Sequence, residues 1–100
     1  MIVSTYPPNK GTEVGKAFIQ GAAKKVPPFM KRIEVYNTSC DEGIRAYAIW
    51  EIQDEKAADG IRELTNRMVP YTQIEGYRWR LELLMKVSET LPLLGLAPPK

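Results

Sequence analysis

The segment from Tyr77 to Val87 alternates apolar and polar residues more regularly than any other part of the chain, and this pattern constrains the fold most strongly. One side carries Tyr77, Trp79, Leu81, Leu83, Met85 and Val87, and the other carries Arg78, Arg80, Glu82, Leu84 and Lys86. A period of two is typical of a β-strand with one buried face. We therefore expect a long strand here, in a sheet whose apolar face is covered by a second layer.

Three further segments favour strands, namely Met1–Tyr6, Phe29–Tyr36 and Ile44–Ile52. The last two are joined by a polar, turn-rich segment around Cys40 that is short enough for an antiparallel hairpin. Their predicted apolar faces consist of Ile33 and Val35 in the first strand and of Ala46, Ala48, Trp50 and Ile52 in the second. Each strand is therefore expected to have one buried and one mixed face.

The first predicted helix starts near Thr12, a suitable N-cap residue, and runs to about Lys25, just before a pair of prolines. Gly15 and Gly21 lie inside this helix, and each costs it about 1 kcal/mol relative to alanine. They indicate either close packing of the backbone, which we favour, or room left for a ligand.

The second predicted helix is capped by Asp54 and ended by Pro70. Its apolar stripe consists of Ala57, Ile61, Leu64 and Met68. Glu63 and Arg67 lie outside this stripe, at the i,i+4 spacing of a helical ion pair. We therefore expect the stripe to face the sheet and the ion pair to lie apart from it.

The order strand, helix, strand, strand, helix, strand predicts an α+β fold with a four-stranded antiparallel sheet of order 4-1-3-2 and both helices on one face. We expect this ferredoxin-like βαββαβ domain to span residues 1–87, followed by a Pro/Leu-rich C-terminal tail at residues 88–100. The predicted core is Ile33, Val35, Ala48, Trp50, Ile61, Leu64, Leu81 and Leu83. Because proline and glycine exclude a continuous helix or central strand in the tail, we expect it to dock irregularly on its own domain or on a partner.

In its element order, its long last strand and a tail able to cross onto a partner, the chain resembles the dimeric α/β-barrel superfamily over residues 1–87. The resemblance implies a homodimer in which two ferredoxin-like sheets face each other, with ligands often held between sheet and helices. Members include monooxygenases, isomerases and dehydratases, so it also implies a cofactor-independent monooxygenase- or isomerase-like enzyme as an alternative function. The histidine that several of those enzymes use has no counterpart in this sequence.

The face of the sheet opposite the helices, the open face, is expected to carry Arg32, Glu34, Tyr36, Arg45, Tyr47, Ile49, Glu51, Arg78, Arg80 and Glu82. This face suits a solvated surface or a homodimer interface with cross-strand ion pairs. A further alternative is an RNA-binding module that stacks bases on Tyr6, Tyr36 and Tyr47. RNA binding is the least favoured interpretation, because the glutamates would repel phosphate and the glycine-aromatic signature of RNA-recognition motifs is absent.

The residue inventory excludes several kinds of chemistry. Histidine is absent, so catalytic triads, zinc sites and proximal-histidine haem sites lack their usual residues. Cys40 is the only cysteine, which fits a reducing compartment, and the adjacent Asp41 and Glu42 disfavour its thiolate. The net charge of +2 comes from interspersed residues, and no glycine-rich phosphate loop is present. We expect no metal, no cofactor, no membrane association and a cytoplasmic location.

A small-molecule pocket between helices and sheet is the predicted functional site, with Tyr6, Phe18, Trp50, Met68 and Trp79 as candidate ligand-binding residues. The competing interpretation is that these side chains only fill the hydrophobic core. No catalytic residue can be singled out from spacing. The sequence therefore predicts a small oligomeric domain that binds an apolar or aromatic ligand in this pocket, or that acts as a structural or regulatory module.

Overall fold

The computed structural model describes residues 1–97 and has an α+β architecture with a four-stranded antiparallel sheet. Its elements are β1 (Ile2–Tyr6), α1 (Gly11–Ala22), β2 (Met30–Cys40), β3 (Gly43–Ile52), α2 (Ala57–Met68), β4 (Arg78–Leu81) and α3 (Val87–Thr90). Short 3-10 turns span Pro8–Lys10, Asp54–Lys56, Val69–Gln73 and Leu91–Leu94. The strand order is β2-β3-β1-β4, which is the predicted order 4-1-3-2 counted from the other edge.

Both long helices contact the same face of the sheet, which we call the helix side. Leu64 of α2 packs in one apolar cluster with Ile2, and Val14 of α1 packs in another with Tyr6. Ile2 and Tyr6 are four residues apart on β1 and therefore lie on one face. The other face, which includes Val3, is the open side.

The β2–β3 hairpin is longer and its turn is tighter than the sequence predicts. β2 continues to Cys40, which pairs with Gly43, so that Asp41 and Glu42 alone form the turn. Cys40 therefore ends a strand rather than lying in a loop. Gly43 has a φ of 127°, and a Cβ atom at this position would overlap the carbonyl oxygen of Tyr6, so only glycine fits.

A β-bulge in β2 changes which residues face the helices. Arg32 pairs with Trp50 and Glu34 pairs with Ile49, so Ile33 is an extra residue in the strand. Arg32 consequently lies on the helix side, opposite to its predicted position. The prediction that Ile33 lies in the core is wrong for the same reason, because 48% of this residue is exposed.

The last strand is much shorter than its alternation predicts. β4 pairs with β1 only, and the ladder ends where the Glu82 amide donates a hydrogen bond to the Met1 carbonyl oxygen at 2.8 Å. β4 runs antiparallel to β1, so Glu82 lies next to the first residue of β1's side of the ladder. Beyond Glu82 the chain therefore has no strand to pair with. Leu83, predicted to be buried, is instead 76% exposed.

The segment after β4 does not continue the predicted strand, and the docking predicted for the tail stays a prediction. It forms two short helical turns, α3 and Leu91–Leu94, which are followed by Gly95 in the left-handed conformation. Its large apolar side chains are exposed, and they are Leu83, Leu84, Met85, Val87, Leu93, Leu94 and Leu96. We call residues 83–97 the apolar tail; the last three residues of the predicted tail, 98–100, lie outside the described residues.

The core is centred on α2 and on the first residues of β1 and β2. Leu64 is the most buried large side chain, with 2% exposed, as predicted. Of the other predicted core residues, Val35, Ala48, Trp50, Ile61 and Leu81 are half-buried. Gly60 brings α2 close to the sheet, because a Cβ atom there would collide with the side chain of Ile52.

These burial differences predict that Leu64→Ala lowers the free energy of unfolding by about 2–5 kcal/mol, because it leaves a cavity in the core. Ile33→Ala, on the exposed bulge, is the matched control and should cost less than about 1 kcal/mol. Urea unfolding monitored by circular dichroism measures both. Equal losses for the two variants would show that the bulge does not expose Ile33.

Candidate functional site

A cavity of about 580 Å³ lies between α1 and the helix side of the sheet. Its floor includes Ser4 of β1 and Ala46 and Ala48 of β3, and its roof is α1. The end next to Phe18 and Arg32 opens to solvent, since both residues are exposed. The volume falls in the range of about 300–1,000 Å³ that is usual for small-molecule sites.

Three glycines of α1 line this cavity, Gly11, Gly15 and Gly21. A Cβ atom added at any of them would meet no atom within 4 Å. The favoured expectation of close backbone packing at Gly15 and Gly21 is therefore wrong. Val14 is the one residue of α1 that is buried. The glycines thus leave open space under the helix instead of bringing it onto the sheet.

Three tyrosines form a stack at one end of the cavity. The rings of Tyr6 and Tyr77 lie 5.9 Å apart, and those of Tyr71 and Tyr77 lie 4.9 Å apart. Burial raises the pKa of Tyr77 to about 12, and a hydrogen bond with the Ser4 hydroxyl lowers this pKa by a smaller amount. Burial also raises the pKa of Tyr6 and of Tyr71. All three phenols are therefore neutral near pH 7, so each can donate a hydrogen bond.

Two arginines flank the indole of Trp50 on the other part of the cavity wall. The guanidinium carbon of Arg67 lies 5.3 Å from the ring centroid and that of Arg32 lies 5.9 Å from it. Arg32 also lies 5.2 Å from the centroid of Phe18. These are cation–π distances, and they place positive charge beside the aromatic wall.

Arg67 joins α2 to the end of α1. Its Nη1 donates a hydrogen bond to the Gly21 carbonyl oxygen at 3.2 Å, and its Nη2 donates one to the Lys25 carbonyl oxygen at 2.9 Å. Its Nε lies 3.5 Å from Oε1 of Glu63, which is the ion pair that the helical spacing predicts. Only 10% of the Arg67 side chain is exposed, so this pair is not a solvated surface feature.

Four of the five predicted ligand-binding residues come together in this cavity: Tyr6, Phe18, Trp50 and Met68. Trp79 does not line it and instead packs against the core cluster around Ile2 and Leu64. Whether the four bind a ligand stays a prediction.

The cavity is also lined by four residues that the sequence pattern does not indicate, namely Arg32, Arg67, Tyr71 and Tyr77. Arg32 reaches it only because of the bulge, for which the alternation gives no signal. Arg67 and Tyr71 are four residues apart, so they share one face if α2 continues into the 3-10 turn that follows it. This spacing is the one sequence signal that would place both residues at the site.

Residues 1–97 contain no group of three or more acidic or cysteine side chains arranged to hold a metal ion. Within the same residues, no helix is long and apolar enough to cross a membrane. Comparisons with protein-family profiles, with curated proteins and with solved structures gave no match. The function of the cavity must therefore be argued from its own residues.

The position of Arg67 predicts a stability effect. Arg67→Met removes two charge-assisted hydrogen bonds and should lower the free energy of unfolding by roughly 1.5–3 kcal/mol. Arg62→Met is the matched control, because Arg62 lies on the same helix with 72% of its side chain exposed, and it should change stability by less than about 0.5 kcal/mol. Chemical unfolding measures both, and indistinguishable midpoints would contradict the role given to Arg67.

Proposed function

We propose that this chain binds a small apolar or aromatic molecule in the cavity between α1 and the sheet. The observation that carries the proposal is the open space of about 580 Å³ beneath the three glycines of α1. Glycines inside a helix weaken it, and here none of the three is used for close packing. Room for a ligand accounts for both facts.

The composition of the cavity wall supports the same proposal. Phe18, Trp50, Met68 and the tyrosine stack offer an apolar and aromatic surface, and a few polar groups such as Ser4 and Asn37 lie among them. This is the usual balance of a small-molecule site, in which apolar area supplies affinity and a small number of polar groups fix orientation.

For the fold family we propose a ferredoxin-like domain of the dimeric α/β-barrel kind. The strand order β2-β3-β1-β4 and the packing of both long helices on one face support it. The added helical turns of the apolar tail depart from a simple βαββαβ chain. Because Cys40 is the only cysteine, we further propose a reducing compartment such as the cytoplasm.

A cofactor-independent monooxygenase- or isomerase-like enzyme is the second candidate function. It is supported by the three neutral phenols beside the cavity, because a protonated phenol can stabilise an oxyanion that develops during a reaction. An RNA-binding module is less well supported. Tyr6, one of its three proposed base-stacking residues, is buried on the helix side and cannot act on the open side.

We also propose that the chain forms a homodimer through the open side of the sheet. The open side carries Ile49 and Tyr47, and the exposed Tyr36 lies opposite Tyr47 on β2. The apolar tail adds seven large exposed side chains, more than a monomer usually leaves in water. A second copy would cover both surfaces.

The cavity proposal predicts that Gly15→Leu abolishes binding of the neutral fluorescent probe N-phenyl-1-naphthylamine. The leucine side chain would fill the open space, and the fold should remain stable because leucine is a better helix former than glycine by several tenths of a kcal/mol. Lys16→Leu adds the same side chain on the exposed part of α1 and should leave binding unchanged. Equal fluorescence enhancement in the wild type and in Gly15→Leu would refute the proposed site.

The dimer proposal predicts that Ile49→Asp shifts the protein to an 11.3 kDa monomer in sedimentation, with its circular dichroism spectrum retained. The reason is that an apolar side chain in the interface would be replaced by a carboxylate, which costs free energy when it loses its hydration. Ile19→Asp is the matched control, because Ile19 is exposed on α1, away from the open side. A wild-type protein that sediments as a monomer at micromolar concentration would exclude the dimer.

A further inference from the structure

Arg32 and Arg67 both lie beside Trp50, but only Arg67 has a carboxylate partner. Among residues 1–97, no Asp or Glu oxygen lies within 4.0 Å of its guanidinium, whereas Arg67 is held by Glu63 and two carbonyl oxygens. Glu34, the one acidic residue that lines the cavity, accepts a hydrogen bond from the Val35 amide at 3.0 Å. The cavity wall therefore contains two guanidinium groups, whereas Glu34 pairs with Ile49 of the open side and forms no ion pair with Arg32.

The bulge gives Arg32 this position. Arg32 and Val35 are three residues apart, so a regular strand would place them on opposite faces, and the bulge at Ile33 allows both to lie on the helix side. The guanidinium lies over the rings of Phe18 and Trp50, at cation–π distances from both. A guanidinium held in this way presents several N–H donors in a fixed fork, which matches the two oxygens of a carboxylate.

A second hollow, of about 370 Å³, meets the cavity at the same residues. Arg32, Trp50 and Arg67 line both spaces. Arg32 therefore stands at the junction of two accessible spaces. An anion held there keeps part of its hydration, which lowers the cost of binding a charge in an apolar site.

We propose that the ligand of the cavity is a planar aromatic carboxylate, with its carboxylate on Arg32 and its ring against Trp50 and Phe18. This inference rests on the proposed function, because it names the class of molecule that the same cavity takes. The tyrosine stack supplies neutral phenol donors to the same cavity, which suit a hydroxyl or carbonyl oxygen elsewhere on the ring.

The test compares two probes of the same shape, 2-naphthoate and its neutral counterpart 2-naphthamide, by isothermal titration calorimetry at pH 7.5. We expect the wild type to bind the carboxylate about tenfold more tightly than the amide, since a charge-assisted contact replaces a neutral one. In Arg32→Met, which keeps an apolar stem against the rings, the two probes should bind equally.

Arg62→Met is the matched control for net charge, because Arg62 does not line the cavity and its side chain is 72% exposed. It should keep the preference for the carboxylate. Circular dichroism verifies that each variant is folded, and Arg32→Gln serves in place of Arg32→Met if the latter is not.

The outcomes separate this inference from the proposed function. Equal binding of both probes by the wild type would overturn the carboxylate proposal and leave the aromatic site standing. A preference that persists in Arg32→Met would overturn the role of Arg32. Failure of the wild type to bind either probe or N-phenyl-1-naphthylamine would overturn the proposed function itself.

Discussion

The contact of Arg67 with the end of α1 is the interaction on which the cavity depends. α1 has a single buried residue, Val14, near its beginning, and three of its residues that line the cavity are glycines. Such a helix has little apolar area with which to pack. Arg67 holds the end of α1 through the Gly21 carbonyl oxygen, and it holds the segment that follows through the Lys25 carbonyl oxygen. Val14 therefore holds α1 near its start and Arg67 holds its end, and the space between the sheet and the middle of the helix is open.

The packed core and the cavity lie in different parts of the domain. Leu64, Met68, Ile2 and Met30 form an apolar core under α2, where Gly60 allows the closest approach of helix and sheet. Under α1 the corresponding volume is open. One helix therefore contributes most of the packing and the other encloses the site, which explains how a chain of 100 residues combines a core with a cavity of this size.

Local periodicity predicts an element correctly only where a neighbouring element is present to pack or pair with it. Hydrophobic spacing predicts the burial of Leu64 and Met68 in α2, and the order of the elements predicts the strand order. Four of the five candidate ligand-binding residues line the cavity. The errors have specific physical causes. The bulge at Ile33 changes the face of a strand without changing its composition, and the alternation after Leu81 continues in the sequence although β4 has no further partner to pair with. In the sequence, Arg67 and Glu63 have the spacing of a surface ion pair. Only the position of α1 shows that Arg67 is covered and bonded to backbone carbonyl oxygens.

The bulge also determines where homologous chains could differ in length. Residues before Ile33 and residues after it each keep their own pairing with β3. A relative lacking this one residue would retain every pair of the hairpin and the same residues on the helix side, whereas a deletion elsewhere in β2 would exchange the two faces of part of the strand. An alignment of homologues should therefore tolerate a single-residue gap opposite Ile33 and place none between Val35 and Cys40.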